Sequence, residues 1–167
     1  RPTRINHVTS GSEYGWRTGN AKWDASYMDN LPAILNVGQG SPTNLLYAGN
    51  AKFPDKYRNS LLAFDWSFGI IYSVQLNPKG ASYDAVAEEF VSGAPLPLTD
   101  GEIGPDGALY FVTGGRKLES DLYRVYHRDH ADFKANTAKK LNKEGQLRKE
   151  IEQYHQPSPQ GTVEKIW

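Results

Sequence analysis

From residue 1 to about residue 128 the apolar positions come in short runs broken by glycine, proline, asparagine and serine, which predicts strands joined by tight turns. Leu61-Leu-Ala-Phe-Asp-Trp66 and Ile70-Ile-Tyr-Ser-Val-Gln-Leu76 are rich in branched and aromatic side chains, and Ser67-Phe68-Gly69 between them reads as a hairpin turn. Asn77-Pro78-Lys79-Gly80 is expected to end the second strand, because proline lacks a backbone donor and glycine accepts positive φ. Ala87-Glu-Glu-Phe-Val91 reads as an outer strand closed by Ser92-Gly93. The same grammar then restarts, with a turn at Gly104-Pro-Asp-Gly107, a strand at Ala108-Leu-Tyr-Phe-Val112 and its partner at Asp121-Leu-Tyr-Arg-Val-Tyr126.

Two segments about fifty residues apart share the pattern apolar-Tyr-X-Val: Ile71-Tyr-Ser-Val74 and Leu122-Tyr-Arg-Val125. Each follows an apolar strand and a turn. A period of roughly 40–50 residues with four strands per unit is the size of a β-propeller blade, favoured here over a generic β-sandwich. A blade buries its faces only against neighbours in a ring, so a few blades alone are expected to be unstable. The period changes after His127-Arg-Asp-His130. Leu147, Ile151 and Tyr154 follow i, i+4, i+7 spacing, and Lys140–Glu144, Glu144–Arg148 and Arg148–Glu152 are i, i+4 charge pairs, so a helix is expected across 132–155, split or bent at Gly145. Pro157 to Gly161 ends it, and 162–167 reads as the start of another. The organisation expected is thus mainly β over 1–128, the C-terminal blades of an incomplete propeller, followed by an α-helical extension over 129–167. With Arg1 in place of a methionine, the chain is expected to be a piece of a larger secreted protein.

Composition narrows the chemistry. Lysine plus arginine balance aspartate plus glutamate at 19 each, which gives no footprint for nucleic acid. Cysteine is absent, which excludes disulfides, thiolate zinc sites and a covalently attached c-type haem within these residues. No apolar run is long enough to span a bilayer. His127 and His130 lie three apart without a third ligand, His7 and His155 stand alone, and no serine lies in a nucleophile-elbow context, so neither zinc nor serine-hydrolase chemistry is indicated.

The candidate site residues each carry two readings. Asp65 beside Trp66 suits a sugar, the ring stacking and the carboxylate accepting hydroxyl hydrogen bonds; alternatively the carboxylate binds turn amides while the indole packs between blades. Arg116, after two glycines, could bind an anionic substrate or cofactor group, or staple its loop to Glu119 or Asp121. Asp100 begins a strand expected to be innermost, where a carboxylate serves as substrate-binding group, base or metal ligand, or simply caps a turn. The Pro105-Asp106 turn needs no function beyond turn chemistry.

A set of words in fixed order carries a resemblance: Glu13-Tyr14-Gly15-Trp16-Arg17, Gly40-Ser-Pro-Thr43, Lys52-Phe-Pro54, Asp65-Trp66, Gly80-Ala-Ser-Tyr83, Gly104-Pro-Asp-Gly-Ala-Leu-Tyr-Phe111 and Gly114-Gly-Arg116. The set resembles the glucose/sorbosone dehydrogenase family of quinoprotein sugar dehydrogenases. It is most similar to the large membrane-bound dehydrogenase-domain proteins of planctomycetes and verrucomicrobia, and Arg148-Lys-Glu-Ile-Glu-Gln-Tyr-His155 resembles the opening of their helical repeats. The resemblance implies a six-bladed propeller, pyrroloquinoline quinone with calcium in the full-length protein, and electrons passed to a haem-bearing cytochrome c domain elsewhere in the parent chain. It also implies a sugar or related alcohol as substrate and a periplasmic or secreted location. Lys52, in the setting Tyr47 to Lys52, aligns with a quinone-contacting lysine, and Arg116 is the other candidate cofactor contact. The family's quinone-gripping arginines have no counterpart between Arg58 and Arg116, and its catalytic histidine and calcium ligands are expected upstream of Arg1. The rival expectations are a non-catalytic glycan- or protein-binding propeller and a lactonase-type propeller using Asp65 or Asp100 on calcium.

Overall fold

The structure is a computed structural model that describes residues 2–12, 14, 30–129 and 140–155. Nine strands are described: β1 (Pro2–Ile5), β2 (Leu35–Gln39), β3 (Pro42–Tyr47), β4 (Ser60–Asp65), β5 (Ile70–Lys79), β6 (Ser82–Ser92), β7 (Leu98–Ile103), β8 (Leu109–Thr113) and β9 (Leu122–Val125). A four-residue helix α1 (Asp55–Arg58), a ten-residue helix α2 (Lys143–Glu152) and 3-10 turns at Ala48–Asn50 and Gln153–His155 are the helical elements described. The strands form a two-stranded sheet β1-β2, a four-stranded sheet β3-β4-β5-β6 and a three-stranded sheet β7-β8-β9. The chain divides into two compact units: residues 1–3, 37–76 and 85–139, and residues 4–36, 77–84 and 140–167.

The first unit contains the three-stranded sheet and most of the four-stranded one, each an antiparallel meander; residues 77–79 of β5 and 82–84 of β6 belong to the second unit. The repeated apolar-Tyr-X-Val words fall on equivalent places, the third strand of each sheet: Ile71 pairs with Phe64 on β4, and Leu122 pairs with Val112 on β8. Side chains alternate across a strand, so Leu62 and Phe64 on β4 share a face with Leu46 on β3 and Ile71 on β5. Leu109 and Phe111 do the same on β8. These faces meet in one core of Leu62, Phe64, Ile71, Leu98, Leu109 and Phe111. Each of these side chains removed from water contributes about 1.5–3 kcal/mol. At Gly101 on β7 the sheets leave no room for a side chain: a Cβ would lie 2.7 Å from Cζ of Phe64. Two polar side chains complete the seam between the first strands of the sheets. Thr43 Oγ1 donates to the Leu98 carbonyl at 3.0 Å, and Asn44 Nδ2 donates to the Gly101 carbonyl at 2.7 Å.

Two expectations are corrected. Asn77-Pro78 does not end the strand: β5 continues to Lys79 and turns at Gly80, whose φ is +55°. The pairing of β5 with β4 stops at Gln75–Ser60, so Pro78 lies beyond its neighbour's reach on that side, where a missing donor costs no β4 ladder bond. Nor does Gly145 bend the helix. It sits in the first turn of α2, its amide capped at 2.9 Å by Oδ1 of Asn142, so the described helix starts at Lys143. Residues 130–139 and 156–167, which held the rest of the expected helical segment, lie outside the described residues, as do Glu13 and residues 15–17 of the first family word.

Placing a methyl group at Gly101 forces the Phe64 ring or β7 to move. Gly101→Ala is therefore expected to destabilise the first unit by about 1–3 kcal/mol, read as a lower denaturant midpoint at unchanged slope.

Candidate functional site

The turns at the two ends of the paired sheets place the candidate residues in separate groups. At the end where β4 stops, Asp65 is buried, and its carboxylate accepts the Ser41 amide at 3.0 Å and the Phe68 amide at 2.8 Å. It holds the β4–β5 turn against the start of β3. Trp66 follows, and its indole Nε1 donates to the Gly114 carbonyl at 2.9 Å, tying this turn to the β8–β9 connection. Arg116 lies over the same indole, its guanidinium carbon 5.0 Å from the ring centroid. Both Arg116 and Lys117 have positive φ, +49° and +66°, in a tight turn closed by Leu118 N donating to the Gly115 carbonyl at 3.0 Å.

Lys52 belongs to the opposite end. Its amide donates to the Gly107 carbonyl at 2.8 Å, at the start of β8, and its exposed side chain runs along that glycine. The whole of β8 therefore separates it from Gly114, roughly 16 Å of strand at ~3.3 Å per residue. The structure brings Asp65, Trp66 and Arg116 together and leaves Lys52 apart from them.

Asp100 lies between these ends, exposed on β7, the edge strand of the second sheet, with its carboxylate on the Gly101 amide at 2.8 Å. It lines a cleft of about 510 Å³ together with Asn50, Glu102, Tyr47, Tyr110 and Leu122. A cleft of this size with aromatic walls and two carboxylates suits a hydroxyl-bearing small molecule. No lysine or arginine is among its lining residues. A quinone bearing several carboxylates would need cations converging on it, and the cleft lining does not fit such a group. Among the described residues no group of three or more His, Cys, Asp or Glu could hold a metal ion.

Beside the cleft lies a polar hub that sequence reasoning assigned only to turn chemistry. Asp106 accepts the Ala108 amide at 3.1 Å, the Tyr110 hydroxyl at 3.0 Å, and two Arg124 nitrogens at 3.1 Å (Nε) and 2.7 Å (Nη2). The Arg124 guanidinium, then the Ala108 amide, hold its carboxyl down to about 2. The signal for this was weak: Arg124 sits eighteen residues away and only the β8–β9 register, pairing it with Tyr110, brings it back.

No family model matches the chain, and no curated protein does. Among solved structures it is similar to a candidate oxidoreductase (glucose dehydrogenase) of Thermus thermophilus, at 19% identity and a TM-score of 0.55 over 72% of this chain. The match covers 35% of that protein's chain. At this identity the likeness concerns fold, and it agrees with a mainly β chain built from small antiparallel sheets.

The depressed carboxyl of Asp106 sets a pH signature. Its folded value lies below the ordinary 3.8, so its contribution to stability is present above pH 4 and lost as pH falls through about 2. Asp106→Asn is expected to flatten the fall in melting temperature between pH 4 and 2 while lowering the plateau at neutral pH, checked by thermal melts across that range.

Proposed function

We propose that this chain supplies neighbouring blades of a six-bladed, dehydrogenase-like propeller that acts on a sugar or related alcohol. The observation that carries this reading is the fold likeness to a protein named for glucose dehydrogenase activity, with Asp100 and Glu102 lining a cleft where a polyhydroxyl ligand can be held. Ring closure is supported by Leu45, an apolar side chain outside the cleft that is left 47% exposed on the first sheet. A further blade would cover it. In this reading the carboxylates accept substrate hydroxyls, and Tyr47 and Tyr110 provide ring faces.

Pyrroloquinoline quinone, which supplies hydride-accepting chemistry when bound, and calcium are assigned to the full-length protein; Lys52 and Arg116, the candidate contacts of this chain, lie at opposite ends of β8 and would not meet on one quinone, so Lys52 is the contact tested. The haem is assigned to a separate cytochrome c domain of the parent chain. Kinship with the planctomycete and verrucomicrobial membrane-bound dehydrogenase-domain proteins and a periplasmic or secreted location are parts of the same proposal. Among the described residues no helix is long and apolar enough to cross a membrane.

A second reading, a non-catalytic glycan- or protein-binding propeller, is favoured by one observation. Both oxygens of Asp65 and the indole N–H of Trp66 are engaged by backbone, so this pair acts as a structural staple.

The test is titration of the natural-length protein with the quinone and calcium, followed by absorbance, together with glucose-dependent dye reduction. Saturable quinone binding weakened by Lys52→Ala, and turnover slowed at least tenfold by Asp100→Asn, are expected. Sugar binding without quinone binding, in a folded protein, would move the assignment to the non-catalytic reading. Absence of both would overturn the cleft as a sugar site.

A further inference from the structure

The second unit holds a pair of groups that the reading above does not use. His7 Nδ1 and Ser82 Oγ lie 3.0 Å apart although 75 residues separate them in sequence. Several contacts fix the histidine. Its carbonyl accepts the Tyr14 hydroxyl at 2.5 Å, and its ring meets Tyr83 edge-on, with centroids 5.2 Å apart and planes at 72°. Tyr83 is itself fixed, its hydroxyl accepting Arg148 Nη2 at 3.2 Å, while Arg148 Nη1 donates to Glu152 at 2.7 Å along α2. A cavity of about 330 Å³ opens on the pair, and Leu31, Pro32, Ala33 and Ile34 form its apolar wall. Lys79 and Asp84, also lining it, are paired with each other at 3.1 Å, so each largely cancels the other's charge.

Burial, then the Arg148 charge, lowers the His7 pKa, against a smaller opposing effect of Glu152. The imidazole is therefore neutral at pH 7 and can accept the Ser82 proton. A hydroxyl hydrogen-bonded to an oriented neutral imidazole, beside a cavity large enough for a small organic molecule, is the arrangement of an activated nucleophile.

We propose that Ser82 and His7 are the nucleophile and general base of an acyl-transfer site for small, uncharged carboxylic esters. The apolar wall and the neutralised ion pair give an ionic substrate no net charge to bind, and the volume admits a compact acyl group. His7 Nδ1 takes the hydroxyl proton as Ser82 Oγ bonds to the ester carbonyl carbon. The carbon–alkoxy bond then breaks, and His7 returns the proton to the departing alcohol. Water repeats the sequence on the acyl-serine, releasing the carboxylic acid and restoring both side chains. Nothing is oxidised or reduced.

The probe is p-nitrophenyl acetate, with nitrophenolate release followed by absorbance and the acylated position mapped by peptide mass. The expected result is a burst, one acetyl group on Ser82, and a rate reduced about 100-fold in both Ser82→Ala and His7→Gln. An unchanged rate in folded Ser82→Ala, or acetylation confined to other residues, would overturn the proposal. Should His7→Gln fail to fold, Ser82→Cys provides a measurement that needs no turnover. The introduced thiol is expected to react with iodoacetamide at least tenfold faster than free cysteine at pH 7, and a rate equal to free cysteine would likewise refute base assistance by His7.

Discussion

The face-to-face contact of the two larger sheets governs the first unit, and within it Phe64 packs against the bare backbone of Gly101. A sheet with one buried face needs a second layer before its hydrogen-bonded ladder is worth forming. Here that layer is the next meander in sequence, so the two sheets stabilise each other through a single core. The polar seam follows from the same approach. Once β7 lies close to β3, the Leu98 and Gly101 carbonyls turned toward the first sheet lose water, and Thr43 and Asn44 replace it. The register of both sheets is thereby tied to the contact, since a one-residue slip would turn Phe64 outward and move Asn44 off its acceptor.

Strand direction then sorts the chemistry. Antiparallel strands return their connections alternately to the two ends, so the β4–β5 and β8–β9 turns share one end, and the turn before β8 lies at the other with Lys52. This explains why residues that read as one candidate site in a linear pass divide into groups. Asp65, Trp66 and Arg116 follow strands running the same way, whereas Asp100 lies within a strand and points where alternation places it, into the cleft with Glu102. Tyr110, Val112 and Leu122, of the opposite parity on β8 and β9 from the core residue Leu109, share the cleft lining with Leu46, Ile103 and Phe111.

Much of the β texture was legible because it is local. The hairpin around 66–69, the outer strand and the shared Tyr-X-Val words need only neighbouring residues, and all fall on the meanders where expected. The first strand of the four-stranded sheet, β3, was not, since Pro42-Thr-Asn-Leu-Leu-Tyr47 lacks clean alternation; its pattern is set by the second sheet and by a bulge between Pro42 and Asn44. Pro78 misled because a proline rule written for paired positions was applied where β4 no longer runs alongside. The Asp106–Arg124 hub and the His7–Ser82 pair were invisible for a different reason: each joins residues with no local signal across a long loop of chain, and only the folded register supplies the proximity.

The turn at Arg116 and Lys117 shows how such proximity sustains an otherwise unfavourable backbone. A two-residue connection with both central residues at positive φ matches the twist of a hairpin, and asparagine-glycine meets it at least cost. Arginine and lysine in that region cost about 1–2 kcal/mol each, because their Cβ crowds the following carbonyl. The opposing contributions come from Trp66: its indole bond to Gly114 is worth about 0.5–1.5 kcal/mol, and the guanidinium on its face about 0.5–1 kcal/mol. Trp66 thus offsets about half of that strain, and the turn keeps this shape while Trp66 is held at the end of β4. Asp65 does that holding, through the Ser41 and Phe68 amides. The position of the exposed Arg116 cation is therefore set by a buried carboxylate fifty-one residues earlier in the chain, which makes Asp65 a positioning residue for that end of the sheets whatever ligand the end receives.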